Sequence, residues 1–97
     1  MIRHTTLFKW TAAATAAQKQ AVAAELTAFA PTVPAIRSYL CGADAGFVEG
    51  NFDFAVVADF DDEAGYFSYR DHPVHREISA RTVVPIMEQR VSVQFTY

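Results

Sequence analysis

Phe52-Asp53-Phe54-Ala55-Val56-Val57-Ala58-Asp59-Phe60 alternates so that Phe52, Phe54, Val56, Ala58 and Phe60 share one face of an extended strand, while Ala55 and Val57 make the other face largely apolar too. A strand apolar on both sides belongs inside a sheet that is covered on both sides. Working outward, Ile36-Arg-Ser-Tyr-Leu-Cys-Gly42 reads as a neighbouring strand, and the Ala43–Asn51 stretch between them is a glycine-containing loop or hairpin. Ile2 to Trp10 is a third strand, with Ile2, His4, Thr6, Phe8 and Trp10 on one face and Arg3, Thr5, Leu7 and Lys9 on the other. Glu88 to Tyr97 is the fourth, with Val91, Val93, Phe95 and Tyr97 opposite Ser92, Gln94 and Thr96.

Helices fill the remainder. Thr15 to Ala30 is Ala-rich and places Val22, Leu26 and Phe29 on one stripe, ending before Pro31 and Pro34. Asp61-Asp62-Glu63 suits the start of a short helix over Ala64 to Tyr69, His72-Pro73 breaks it, and a further helix runs to Val83 or Val84 with Val74 and Ile78 facing inward. The order β-α-β-β-α(α)-β predicts an α+β domain over residues 1–97, a four-stranded antiparallel sheet with helices on one face in the ferredoxin-like manner. The other face is then bare and apolar. With 52% hydrophobic residues in 97, more apolar surface is present than so short a chain readily buries, so two sheets are expected to pack face to face in a homodimeric α+β barrel.

Composition excludes several classes of function. The net charge is -3 and no run of Lys or Arg could follow a phosphate backbone, which argues against nucleic acid. No stretch approaches the roughly 20 apolar residues of a membrane helix and no signal-peptide pattern is seen, so a soluble protein is expected. Cys41 is the single cysteine, which forbids an intrachain disulfide and fits the cytoplasm. A buried strand thiol without a histidine beside it is an inert small hydrophobe, so Cys41 is given no role.

Three histidines are the notable ionisable groups, and two lie in Tyr69-Arg70-Asp71-His72-Pro73-Val74-His75. With Pro73 near the first helical position, His75 falls in the first turn, where the helix dipole disfavours the imidazolium and keeps a general base neutral. The plainer alternative is that His72 caps a helix, His75 fills a cleft edge and His4 is a hydrogen-bonded strand residue. A metal site would need a third ligand such as His4, Asp53 or Asp59, and the spacing matches no familiar site; no metal or other cofactor is expected. Phe8, Trp10, Phe29, Phe54, Tyr66, Phe67, Tyr69 and Phe95 either form core or line an apolar pocket.

The opening Ile2-Arg3-His4 strand to Phe8-Lys9, the Pro-rich turn into Ile36, the Phe52–Phe60 strand and above all Tyr69-x-x-His72-Pro73-x-His75 resemble the stress-responsive A/B barrel family over essentially the whole chain. The resemblance implies a dimeric α+β barrel of ferredoxin-like protomers. Family functions range from stress-associated and defence proteins to polyketide cyclases of the olivetolic acid cyclase type. By similarity to those cyclases, His75 is the base, Tyr69 its assisting tyrosine and His4 a pocket histidine, while His72 is structural. Two positions depart from the cyclase pattern: Asp53 stands where a further pocket histidine is found, and Gln94 where an aspartate supports the base. A glutamine can orient an imidazole but does not stabilise its cation with a full charge, so either His75 is a weaker base than in the cyclases or another carboxylate such as Asp53 supplies that support.

Three functions follow as expectations. The first is an apolar or aromatic small-molecule site, with Phe54 among its walls, running cofactor-free aldol cyclase, lyase or isomerase chemistry from His75 and Tyr69. The second is a non-catalytic stress or assembly protein. The third, by analogy with other α+β barrels, is a cofactor-free monooxygenase.

Overall fold

The computed structural model describes residues 1–97, as β1 (Ile2–Trp10), α1 (Ala16–Phe29), β2 (Ile36–Ala43), β3 (Phe54–Phe60), α2 (Glu63–Arg70), α3 (Pro73–Ile78) and β4 (Met87–Thr96). The strands form one antiparallel sheet in the order β2-β3-β1-β4, and the helices cover one side of it, giving the ferredoxin-like arrangement. No helix is long and apolar enough to cross a membrane.

Each helix start is set by a local side-chain bond. Thr15 and Gln18 make a reciprocal capping box at α1, the Asp62 carboxylate accepts from the Gly65 amide at 2.9 Å, and His72 Nδ1 accepts from the Val74 amide at 3.1 Å. His72 therefore serves as the cap of α3. That helix continues through a π-helical turn (Ser79–Val83) and a 3-10 turn (Val84–Ile86) before β4 begins.

The core lies between helices and sheet. Val22, Leu26 and Phe29 of α1 meet Phe8, Trp10, Phe54, Val56 and Phe60 of the central strands, and Ile78, Val83 and Ile86 close the far side. At the usual return per buried apolar side chain, this cluster is the dominant stabilising term. The opposite sheet face carries Leu7, Val91, Val93 and Phe95, all partly open to solvent.

Two expectations need correction. Strand β3 begins at Phe54 rather than Phe52: the Asp53 amide still reaches the Phe8 carbonyl, but its carboxylate turns to accept the Trp10 amide at 2.7 Å and ends the ladder there. Val74, expected inward, is 47% exposed. The His72 and His75 rings pack on Phe29 under the first turn of α3, and Val74 is left in the shallow outer groove between α1 and α3.

Candidate functional site

The alternation of β1 sends His4, Thr6 and Phe8 toward the helices, and the β1–β4 register sets Gln94, Ser92 and Arg90 opposite them on that same face. Helix α2 lays Tyr66 and Tyr69 over these strands, and α3 brings in His75. Between them lies a cleft of about 260 Å³, lined on the sheet side by His4, Thr6, Arg90 and Ser92 and on the helix side by Tyr66, Tyr69 and His75. Its floor is apolar, made by Phe8, Leu26, Val56 and Val83.

His75 is half-buried. Its Nδ1 lies 3.2 Å from the Arg70 carbonyl oxygen. A carbonyl only accepts, so in the neutral ring the proton sits on Nδ1 and Nε2 keeps its lone pair. Burial pushes the His75 pKa down, the Arg70 carbonyl opposes this, and the nearby His72 and Arg90 charges push it lower again. The ring is therefore neutral at pH 7, with one nitrogen oriented by the backbone and the other unclaimed by any protein group.

His4 is placed differently. It is buried, its Nδ1 accepts from the Gln94 amide at 2.8 Å, and its Nε2 bonds Thr6 Oγ1 at 2.9 Å. The Thr6 hydroxyl continues to Ser92 at 2.8 Å. Gln94 has its donor on Nδ1, so the His4 proton is on Nε2 and points at Thr6. Burial brings the His4 pKa down to about 4, with the Arg90 charge, and that of His75 once it is protonated at lower pH, adding to it. His4 thus lines the cleft as a neutral ring with both nitrogens occupied.

Tyr69 packs its ring on His75, with centroids 4.4 Å apart and planes tilted 47°. Its hydroxyl is 3.5 Å from that of Tyr39 on β2, and burial pushes its phenol pKa up. Tyr66 has the complementary position. Its ring lies 5.0 Å from that of His4, it lines the cleft, and its hydroxyl makes no hydrogen bond within the chain.

Of the residues expected at the site, His4, Tyr69 and His75 line one cleft and Gln94 acts on it through His4. Asp53 and Phe54 do not reach it. The Asp53 carboxylate is held by the Trp10 amide, and Phe54 packs against Phe8 and Trp10 in the core. The role of Gln94 also changes, since it holds His4 and not His75. Sequence reasoning named Tyr66 only among the aromatic residues that form core or line a pocket, and passed over Ser92 and Arg90 as site residues. The alternation of β4 carries a signal for the last two, because both share the parity of Gln94.

No group of three or more His, Cys, Asp and Glu side chains is arranged to hold a metal ion. The acidic residues near the helix starts are otherwise engaged: Asp61 with Arg37, Asp62 as a cap, Asp59 with Arg3 and Ser38. A second depression, about 390 Å³, lies on the far sheet face beside Leu7, Phe52 and Ala55 and contains no histidine or tyrosine.

A model of the Stress responsive A/B Barrel Domain family matches residues 2–97. A dimeric ferredoxin-like protein of unknown function from Thermobifida fusca YX is 43% identical, with a TM-score of 0.92 over 99% of this chain and 90% of that one. A Dabb family protein with a ferredoxin-like fold from Mesorhizobium loti is 20% identical, with a TM-score of 0.80 over 99% and 95% of the two chains. The hydroxynitrile lyase of Passiflora edulis is 18% identical and superposes with a TM-score of 0.81 over 97% of this chain and 90% of that enzyme. No curated protein matches the sequence.

Proposed function

The chain belongs to the stress responsive A/B barrel domain family, and from that premise we propose that it is a homodimer whose protomers each bind an apolar or aromatic small molecule in the cleft between helices and sheet, where His75 is a cofactor-free base. The dimer draws support from the Thermobifida fusca relative, described as dimeric at 43% identity, and from the apolar outer face of the sheet. The free Cys41 is compatible with a reducing cytoplasm.

One observation carries the chemistry: the Arg70 carbonyl fixes the His75 proton on Nδ1 and leaves Nε2 unprotonated beside a cavity. Such a nitrogen can take a proton from the carbon next to a carbonyl, whose electron pair passes to the carbonyl oxygen as an enolate. The Tyr66 hydroxyl is the unpaired donor suited to that oxygen. The enolate then attacks a second carbonyl, expels a leaving group or is reprotonated elsewhere, which are aldol, lyase and isomerase outcomes. The Passiflora enzyme, a lyase by name, shares the fold.

The reading is tested by incubating the protein in D2O with small aromatic ketones and following loss of the α-proton signal by NMR. Catalysed exchange is expected, and His75→Ala should lower it by about a hundredfold or more. Exchange no faster than in buffer, across the panel, would remove catalysis and leave binding alone. The rival reading, a non-catalytic stress or assembly protein, draws on the structural bonds of the other two histidines, His4 to Gln94 and Thr6, and His72 to the Val74 amide.

A further inference from the structure

We infer that the cleft selects ligands bearing an anionic oxygen group on an apolar body, and that Arg90 is the residue that holds the anion. The inference rests on the reading of the cleft as a ligand site and adds the class of ligand it takes.

The first observation is the pairing of the arginines. Arg3 is bound to Asp59, Arg37 to Asp61, Arg70 and Arg76 to Asp71, and Arg81 to Glu25 and Glu77. Arg90 alone among the six arginines has no carboxylate partner, and it is the one that lies on the sheet side of the cleft. The second observation concerns sign. No Asp or Glu lines the cleft, while Arg70 and Arg90 do, beside the neutral rings of His4 and His75. At the outer lip Arg70, Arg76 and Arg90 surround a single acid, Asp71. A chain with a net charge of -3 thus presents a locally positive mouth, which raises the local concentration of anions.

The third observation is the shape of the site. Arg90 pairs in register with Phe8, one step along β4 from the Ser92 hydroxyl, so the guanidinium stands at the edge of the apolar floor. A ligand with a ring on Phe8 and Val56 and a charged head at the mouth satisfies both halves. The planar guanidinium fork matches carboxylate and phosphate oxygens alike.

Titrations of 15N-labelled protein with benzoate, phenyl phosphate and the neutral isostere benzamide separate the possibilities. Resonances of Tyr66, His75 and Ser92 should shift with the anionic probes about tenfold more tightly than with benzamide. Arg90→Gln should remove that preference by weakening the anionic probes about tenfold more than benzamide, and Arg90→Lys should keep part of it. Whether benzoate or phenyl phosphate is favoured identifies the head group. Equal binding of benzoate, phenyl phosphate and benzamide by the wild type would overturn the anion inference with the cleft intact as a site. So would an anion preference that survives in Arg90→Gln. If none of the three probes shifts the cleft resonances, the ligand-site reading fails and takes this inference with it.

Discussion

Gln94 donates its side-chain amide to Nδ1 of His4 at 2.8 Å, and the two residues are direct partners in the β1–β4 ladder. The bond closes a chain from Gln94 through His4 and Thr6 to Ser92 that satisfies every polar atom under the cleft floor. A neutral amide is the right partner for a neutral ring. It leaves His4 without a reason to ionise and keeps a second positive charge away from His75.

That arrangement predicts a pH dependence of stability. The folded pKa of His4 is lowered from 6.5 to about 4, so between those values the unfolded chain binds the proton and the folded one does not. Stability therefore falls as pH drops through this window, by up to about 3 kcal/mol from this group. Urea unfolding midpoints measured at pH 7, 5.5 and 4.5 should decline, and His4→Gln, which keeps a polar side chain but does not titrate, should flatten the decline. A midpoint constant over this range in the wild type would refute the assignment.

The two tyrosines should separate in any reaction that develops negative charge on oxygen. The Tyr66 hydroxyl is unpaired at the cleft whereas that of Tyr69 is directed to Tyr39. Tyr66→Phe is expected to slow proton exchange by about a hundredfold, and Tyr69→Phe to change it little. The reverse ranking would assign the donor role to Tyr69.

Exchange itself should follow one acid limb. The His75 pKa lies below its ordinary 6.5, so the active neutral form predominates at pH 7 and the rate should fall as pH drops through the lowered pKa. A rate still rising between pH 7 and 8 would show that another group is titrating.

Asp53 should be separable from the site altogether. Its carboxylate accepts the Trp10 amide at the end of β1, so Asp53→Ala leaves that amide without its partner and should cost about 1–3 kcal/mol. Ligand shifts at His75 and Tyr66 should be unaltered. A changed exchange rate at saturating ligand in this variant would restore Asp53 to the catalytic machinery.

The outer sheet face is tested at Val93, which is 56% exposed and central on β4 beside Leu7 and Phe95. Val93→Asp places a charge where the second sheet is proposed to pack, and sedimentation should show a monomer in place of a dimer. An unchanged sedimentation coefficient would direct the interface elsewhere.

The strands, their facing residues and the order of elements were legible in the sequence because periods of two and of 3.6 are local properties that a short window displays. Phe8 and Trp10 point inward, as their alternation with Leu7 and Lys9 implies, and Val22, Leu26 and Phe29 are buried as one helical stripe. The Tyr69-x-x-His72-Pro73-x-His75 motif likewise placed a histidine at the cap of α3 and a half-buried one in its first turn. Partnership across the fold was not legible. Asp53 was one candidate to support His75, yet a 2.7 Å bond to the Trp10 amide holds it elsewhere, since an unpaired amide at a strand end claims the nearest carboxylate. Gln94 was read as support for His75, and the antiparallel register gives it to His4. The free Arg90 became visible only when the other five arginines had found their acids. Sequence by itself determined which side chains face the helices; only the tertiary structure decided which of them touch, because hydrogen-bond and ion-pair partners are assigned by strand register and helix placement between residues far apart in the chain, as with His4 and Gln94, 90 positions apart.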